Sequence, residues 1–155
     1  MDYPNHDELE RFLGSCEKEL FAEKNMRVVV YPAKAVDLWG SETIKAANAK
    51  LLNEISGSAN VYAIFTAEKE SNDYSLKYIG QTHSKYARTR LTNHLIKKNA
   101  KTGAQLKNVM EHVQARGSIK ISWISITPES LRHFVEEKLI ELRKGELTWN
   151  QQGKK

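Results

Sequence analysis

Residues 60–95, NVYAIFTAEKESNDYSLKYIGQTHSKYARTRLTNHL, decide the fold. Two short runs rich in β-branched and aromatic residues, NVYAIFTA and SLKYIGQT, are joined by the polar stretch EKESNDY. That is the composition of a β-hairpin with a long loop. Side chains alternate across a strand, so Tyr62 shares a face with Ile64, and Tyr78 shares one with Gly80. If the hairpin pairs these faces, the two phenols project close together. Gly80 weakens a strand unless something must approach its backbone closely. Residues 84–98 then read as a basic helix anchored by Leu91 and Leu95. On that helix Arg90 and His94 lie four apart and so on one face.

Working outward, residues 6–22 are predicted helical, with Leu9, Phe12, Leu13 and Leu20 at helical spacing. MRVVVY (26–31) is a strand candidate stopped by Pro32, and residues 42–55 read as a second helix. SGSAN (56–60) is a breaker and the expected module boundary. Downstream, Gly103 precedes a helical pattern with Leu106, Val109, Met110 and Val113, which Gly117 stops. SIKISWISI (118–126) alternates like a strand with one covered face. The last helix is predicted to open with Thr127 as N-cap and Pro128 at its first position, with Glu129 suiting the helix dipole. The expectation is an α+β fold: a small central antiparallel sheet flanked by helices over residues 59–155. Residues 1–58 form a helix-strand-helix extension, a candidate specificity or dimerisation element.

Composition bounds the function. At 155 residues with 40% hydrophobic content, the chain fits one globular domain with a small appendage. No run approaches the ~18 apolar residues of a membrane span, and the acidic, polar start is unlike a signal peptide. The single cysteine, Cys16, cannot form an internal disulfide, and no Cys/His cluster has zinc spacing. The chain therefore reads as cytoplasmic. Residues 1–56 carry 7 Lys/Arg against 10 Asp/Glu, whereas the remainder carries 17 against 9. Most of that excess lies in Lys85, Arg88, Arg90, Lys97, Lys98, Lys101 and Lys107, a run without an acid. Such a patch attracts polyanions through counterion release, although a solvated helix face would look the same.

Two positions carry sharper chemistry. Arginine clamps phosphate in bidentate fashion, and histidine exchanges protons near neutral pH, which singles out Arg90 and His94. On the last helix, Leu131, Phe134, Val135, Leu139 and Leu142 form an apolar stripe. At ~100° per residue Glu136 falls between Leu139 and Ile140. A carboxylate there is costly unless it is paired in a salt bridge or bound to a metal. Glu137 faces away, and periodicity alone leaves Glu141 open.

Taken together, NVY, YIG, TRLTNHL, EEKLIEL and the late WN resemble the GIY-YIG nuclease superfamily over residues 59–151. The resemblance matches Tyr62 and Tyr78 to the two motif tyrosines and Arg90 to the essential helix arginine. It matches His94 to a histidine found in some members, Glu136 to the metal ligand and Asn150 to the terminal asparagine. It implies one divalent ion, Mg²⁺ or Mn²⁺, held mainly by Glu136 and waters. It further implies Arg90 on the nonbridging phosphate oxygens, with Tyr62 as general base and His94 as its rival. Lys77, Arg90 and the metal would then lower the phenol's pKa. Gly80 would leave room for the substrate backbone, and Lys77, Lys85, Arg88, Lys97, Lys98, Lys101 and Lys107 would contact phosphates. One departure stands out: the first motif's glycine is Asn60, read as a drift that the residue's tolerance of unusual backbone angles allows.

The function expected on this basis is a metal-dependent DNA endonuclease of restriction or phage/mobile-element type, acting on double-stranded DNA as a monomer or homodimer. The alternative is a nucleic-acid-binding module of the same fold with little or no cleavage. A third class, an RNA-binding or protein-interaction domain, would use the basic helix alone and leave Glu136 unexplained.

Overall fold

A computed structural model of the chain describes residues 1–98 and 104–151. Lys101 and Gly103 lie outside the described residues. Helix α1 (His6–Phe21) leads into strand β1 (Arg27–Val28), followed by three short helices, α2 (Ala33–Val36), α3 (Ser41–Ala47) and α4 (Ala49–Ile55). The hairpin consists of β2 (Val61–Ala67) and β3 (Ser75–Gln81). After it come α5 (Ala87–Leu95), α6 (Leu106–Gln114), β4 (Ser118–Ile124), α7 (Leu131–Leu142) and α8 (Thr148–Gln151). The fold is α+β: a four-stranded sheet of order β1-β4-β2-β3, antiparallel throughout and flanked by helices.

Strand β2 is buried along its whole length because both faces of the sheet are covered. Tyr62 and Ile64 point into one layer with Leu52, Ile55, Leu91, Leu95, Val109 and Val113 of α4, α5 and α6. Val61, Ala63 and Phe65 point into the other with Leu13, Leu20, Val135 and Leu139 of α1 and α7. The register sets Tyr62 opposite Gly80 and Ile64 opposite Tyr78, then shifts so that Phe65 faces Leu76. Lys77 is therefore the extra residue of a bulge. It re-aims β3 so that Leu76 and Tyr78 serve opposite layers.

Residues 1–58 do not pack apart from the remainder. They supply an edge strand, and their side chains enter both apolar layers. The helix expected over 42–55 is broken at Asn48, whose side chain is committed elsewhere. Its Oδ1 accepts from the Val30 amide at 2.8 Å, while its Nδ2 donates to the Val30 and Ile44 carbonyls at 2.8 Å. The last helix starts at Leu131 rather than at Pro128. Glu129, expected in its first turn, instead reaches back to Ser84 and Asn60. At the other end of that helix Leu142 is exposed, so the apolar stripe stops one turn early.

Asn60 is not a conformational drift, because its φ is not among the positive values of the chain. It is fully buried, and its amide clamps the segment after β4. Oδ1 accepts from the Ile126 amide at 2.7 Å, and Nδ2 donates to the Ile126 carbonyl at 2.8 Å and to Glu129 Oε2 at 2.9 Å. Removing a partner from buried polar groups costs ~1–3 kcal/mol for each group left unsatisfied. Asn60→Gly, which restores the glycine of the resembled motif, is therefore expected to destabilise the protein by about 2–4 kcal/mol in urea unfolding. An unchanged midpoint would show that the clamp is dispensable.

Candidate active site

Four of the expected site residues meet on the helical layer beside β2. Tyr62 is buried to 1% exposure, and its Oη lies 2.7 Å from His94 Nε2. The Tyr62 and Tyr78 rings are 6.3 Å apart between centroids, and each lies within 5.4 Å of the His94 ring. Arg90, one turn before His94 on α5, acts on both phenols and on the imidazole. Glu136 of α7 is close enough for its negative charge to raise both phenols.

Gly80 makes this arrangement possible. A Cβ at that position would sit 2.5 Å from Tyr62 Oη and 2.6 Å from Cζ, because the Tyr62 ring lies across the opposite strand. The space over the glycine is filled by Tyr62 and does not receive a nucleic-acid backbone. Asn150 likewise acts on the strand and not on a substrate. Its Oδ1 accepts from the Ile79 amide at 2.8 Å, and its Nδ2 donates to the Ile79 carbonyl at 2.9 Å. It pairs the free edge of β3 between the two motif residues Tyr78 and Gly80.

The hydrogen bonds around His94 fix its tautomer. The Gln105 amide donates to Nδ1 at 3.0 Å, so in the neutral ring the proton resides on Nε2 and is donated to Tyr62 Oη. Burial, and then the Arg90 charge, lower its pKa from 6.5 to about 3. Both ring nitrogens are engaged in hydrogen bonds, which argues against His94 as the base that meets a water. The Tyr62 phenol is raised well above its ordinary value. Burial dominates, Tyr78 and Glu136 add to it, and Arg90 opposes it. The expected lowering by cations is thus present from Arg90 but outweighed, and Lys77 is not among the groups that act on either phenol.

Several residues that position the site were not singled out from the sequence. Tyr31 Oη donates to the Leu95 carbonyl at 2.9 Å, and Trp39 Nε1 donates to the Ile96 carbonyl at 2.7 Å. Both satisfy carbonyls that the end of α5 leaves orphaned, so the N-terminal segment grips the helix carrying Arg90 and His94. Glu129 binds the Ser84 hydroxyl and, at 3.3 Å, the Ser84 amide, and it lies 3.8 Å from Arg132. Ser84 is the largest influence holding its carboxyl below the usual value. The only signal for these contacts in the sequence was polar residues beside apolar runs.

The basic patch is dispersed. Lys97 pairs with Glu42 at 3.5 Å, an acid distant in sequence, and Arg88 bonds Asn53. Lys85 lies over the Tyr86 ring at 5.0 Å, and Lys98 and Lys107 are exposed. Glu137 is exposed as expected, and Glu141 is an exposed partner of Lys138 at 3.7 Å. Among the described residues no group of three or more His, Cys, Asp or Glu side chains could hold a metal ion. No helix among them is long and apolar enough to cross a membrane. No family model, curated protein or solved structure matches the chain.

Two outcomes follow from this geometry. Gly80→Ala is expected to displace the Tyr62 ring, destabilise the protein by about 1–3 kcal/mol and shift the His94 ring resonances. Resonances left in place would refute the close approach. In the unfolded chain His94 binds a proton near pH 6.5, whereas in the folded protein it does so only near pH 3. Its contribution to stability is therefore complete above pH 6.5 and declines as pH falls, by up to about 1.4 kcal/mol per pH unit. His94→Gln should flatten the stability curve between pH 4 and 6.5, and an unaltered slope would place the titration elsewhere.

Proposed function

We propose that the chain is a metal-dependent DNA endonuclease of the GIY-YIG type. The observation that carries the reading is the convergence of Tyr62, Tyr78, Arg90 and His94, drawn from β2, β3 and α5, within reach of the charge of Glu136 on α7. Phosphodiester hydrolysis needs a proton acceptor for water and fixed positive charge on the phosphoryl oxygens. Tyr62 is the proposed acceptor and Arg90 the proposed clamp. His94 Nε2–H, aimed at Tyr62 Oη, would stabilise the phenolate that must be present before it takes the water's proton, and the Gln105 amide keeps the imidazole proton on the correct nitrogen. Tyr78, only partly buried, is the phenol nearer solvent and orients the water or phosphate.

A carboxylate near two phenols suits Mg²⁺ or Mn²⁺, since such ions are commonly bound through one or two carboxylates, waters and substrate phosphates rather than an all-protein cage. Glu136 would hold it, and the ion would supply charge stabilisation to the phosphoryl group. The exposed Lys85, Lys98 and Lys107 would hold flanking phosphates without reading sequence. A binding module of the same fold is the second reading, favoured by the near-complete burial of Tyr62.

Plasmid DNA with Mg²⁺ separates the two. Cleavage abolished by EDTA and by Glu136→Gln, with duplex binding retained, is the outcome expected of the nuclease. Binding without cleavage under all conditions would establish the module. If Tyr62 is the base, kcat/KM should keep rising with pH through the neutral and alkaline range, because its phenol titrates above the ordinary value. Tyr62→Phe should cost ~10²–10⁴ in rate and remove that rise. A limb that survives Tyr62→Phe would transfer the role to another group.

A further inference from the structure

We propose a phosphate-binding subsite on the flank of α5 that Lys45 of α3 adjoins. Arg88 and Thr92 lie about 160–200° around the helix from Arg90, and Asn93 about 60° from it, so the subsite runs along the flank of α5 with Arg88 and Thr92 turned away from the catalytic cluster. There Lys45 of α3, with Arg88, Thr89, Thr92, Asn93 and Lys97, lines a depression of about 240 Å³. The volume holds several waters, or one phosphate with its hydration.

Asn93 makes this more than a basic surface. It is only 7% exposed, yet among the described residues its side-chain amide has no hydrogen-bond partner. Buried polar groups are almost always partnered, and an exception calls for a ligand, ion or water. The amide offers two N–H donors. The surrounding charge selects what they meet. Lys45, Arg88 and Lys97 are cationic, and Glu42, 3.5 Å from Lys97, offsets one of them. Arg88 is held by Asn53, and Thr92 donates its hydroxyl to the Arg88 carbonyl at 2.7 Å, so the wall is ordered before a ligand arrives. Two amide protons, an exposed threonine hydroxyl and a net positive wall are the donor set of an oxyanion site, and a phosphate group matches its size and charge.

The site stands independently of the nuclease reading, because its test needs neither metal nor nucleic acid. Inorganic phosphate is titrated against chloride at constant ionic strength while the Asn93 side-chain amide and, in every variant, the backbone amides of residues 89–93 are followed by ¹⁵N NMR. A saturable shift is expected. Its affinity should fall at least tenfold in Asn93→Asp and in Lys45→Glu, and stay unchanged in Glu137→Gln, an exposed position outside the site. The exposed Lys45 position decides the matter if Asn93→Asp does not fold. No saturable shift in the wild type, or unaltered affinity in Lys45→Glu, would overturn the proposal. A short DNA duplex then distinguishes the source. A shift of the Asn93 amide that phosphate competes away assigns the subsite to a phosphodiester. A duplex that leaves the amide unmoved assigns it to a free phosphate or phosphomonoester.

Discussion

The arrangement of the site rests on one close approach, the Tyr62 ring laid across the bare backbone of Gly80. It sets the side on which the phenol emerges, its 2.7 Å reach to His94 and its distance from Tyr78. The register and the bulge of the hairpin serve the same end, placing Tyr62 opposite the glycine and Tyr78 two positions away on the same layer. A phenol held this tightly is desolvated. Its ionisation is therefore governed by burial first and by Arg90, Tyr78 and Glu136 afterwards. The same packing that orders the cluster makes Tyr62 a reluctant acid, and only the donors facing its oxygen work against that.

Three asparagines hold the frame around this approach by one device. Asn48, Asn60 and Asn150 each present an amide that accepts from one backbone N–H and donates to the carbonyl of the same residue, at Val30, Ile126 and Ile79. A side-chain amide used this way substitutes for a neighbouring peptide where the ladder has run out. Each clamp lies where the chain leaves a strand or where a strand edge would be unpaired. Asn60 stitches the start of β2 to the segment leading into α7, and Asn150 covers the edge of β3. Strand β2 is thereby tied to the segment that leads into α7, and β3 to α8.

The N-terminal segment contributes more than an appendage would. Tyr31 and Trp39 satisfy the terminal carbonyls of α5, β1 extends the sheet, and α1 closes the opposite layer through Leu13 and Leu20. Its acids also temper the basic helix, since Glu42 meets Lys97. Charge that looks continuous along residues 85–107 is thus divided in space: some cations face ring or amide partners, and some stand in solvent.

What the sequence determined by itself is what depends on local periodicity. The hairpin, the basic helix, the order of elements and the shared face of Arg90 and His94 were legible, because alternation and helical spacing are properties of neighbouring residues. The pairing of the two tyrosines could be inferred because the hairpin is itself local. What only the tertiary structure decided was every partnership across distant segments. These include Gly80 serving Tyr62 and not a substrate, Asn60 as a clamp, Asn150 on a strand edge, and the Gln105 amide fixing the His94 proton. The break at Asn48 and the late start of α7 belong with them, since in each a side chain bonded far along the chain overrides the local preference for helix. Periodicity identifies the face a residue shows, whereas the group that meets it there, and the proton between them, exist only once the chain has closed.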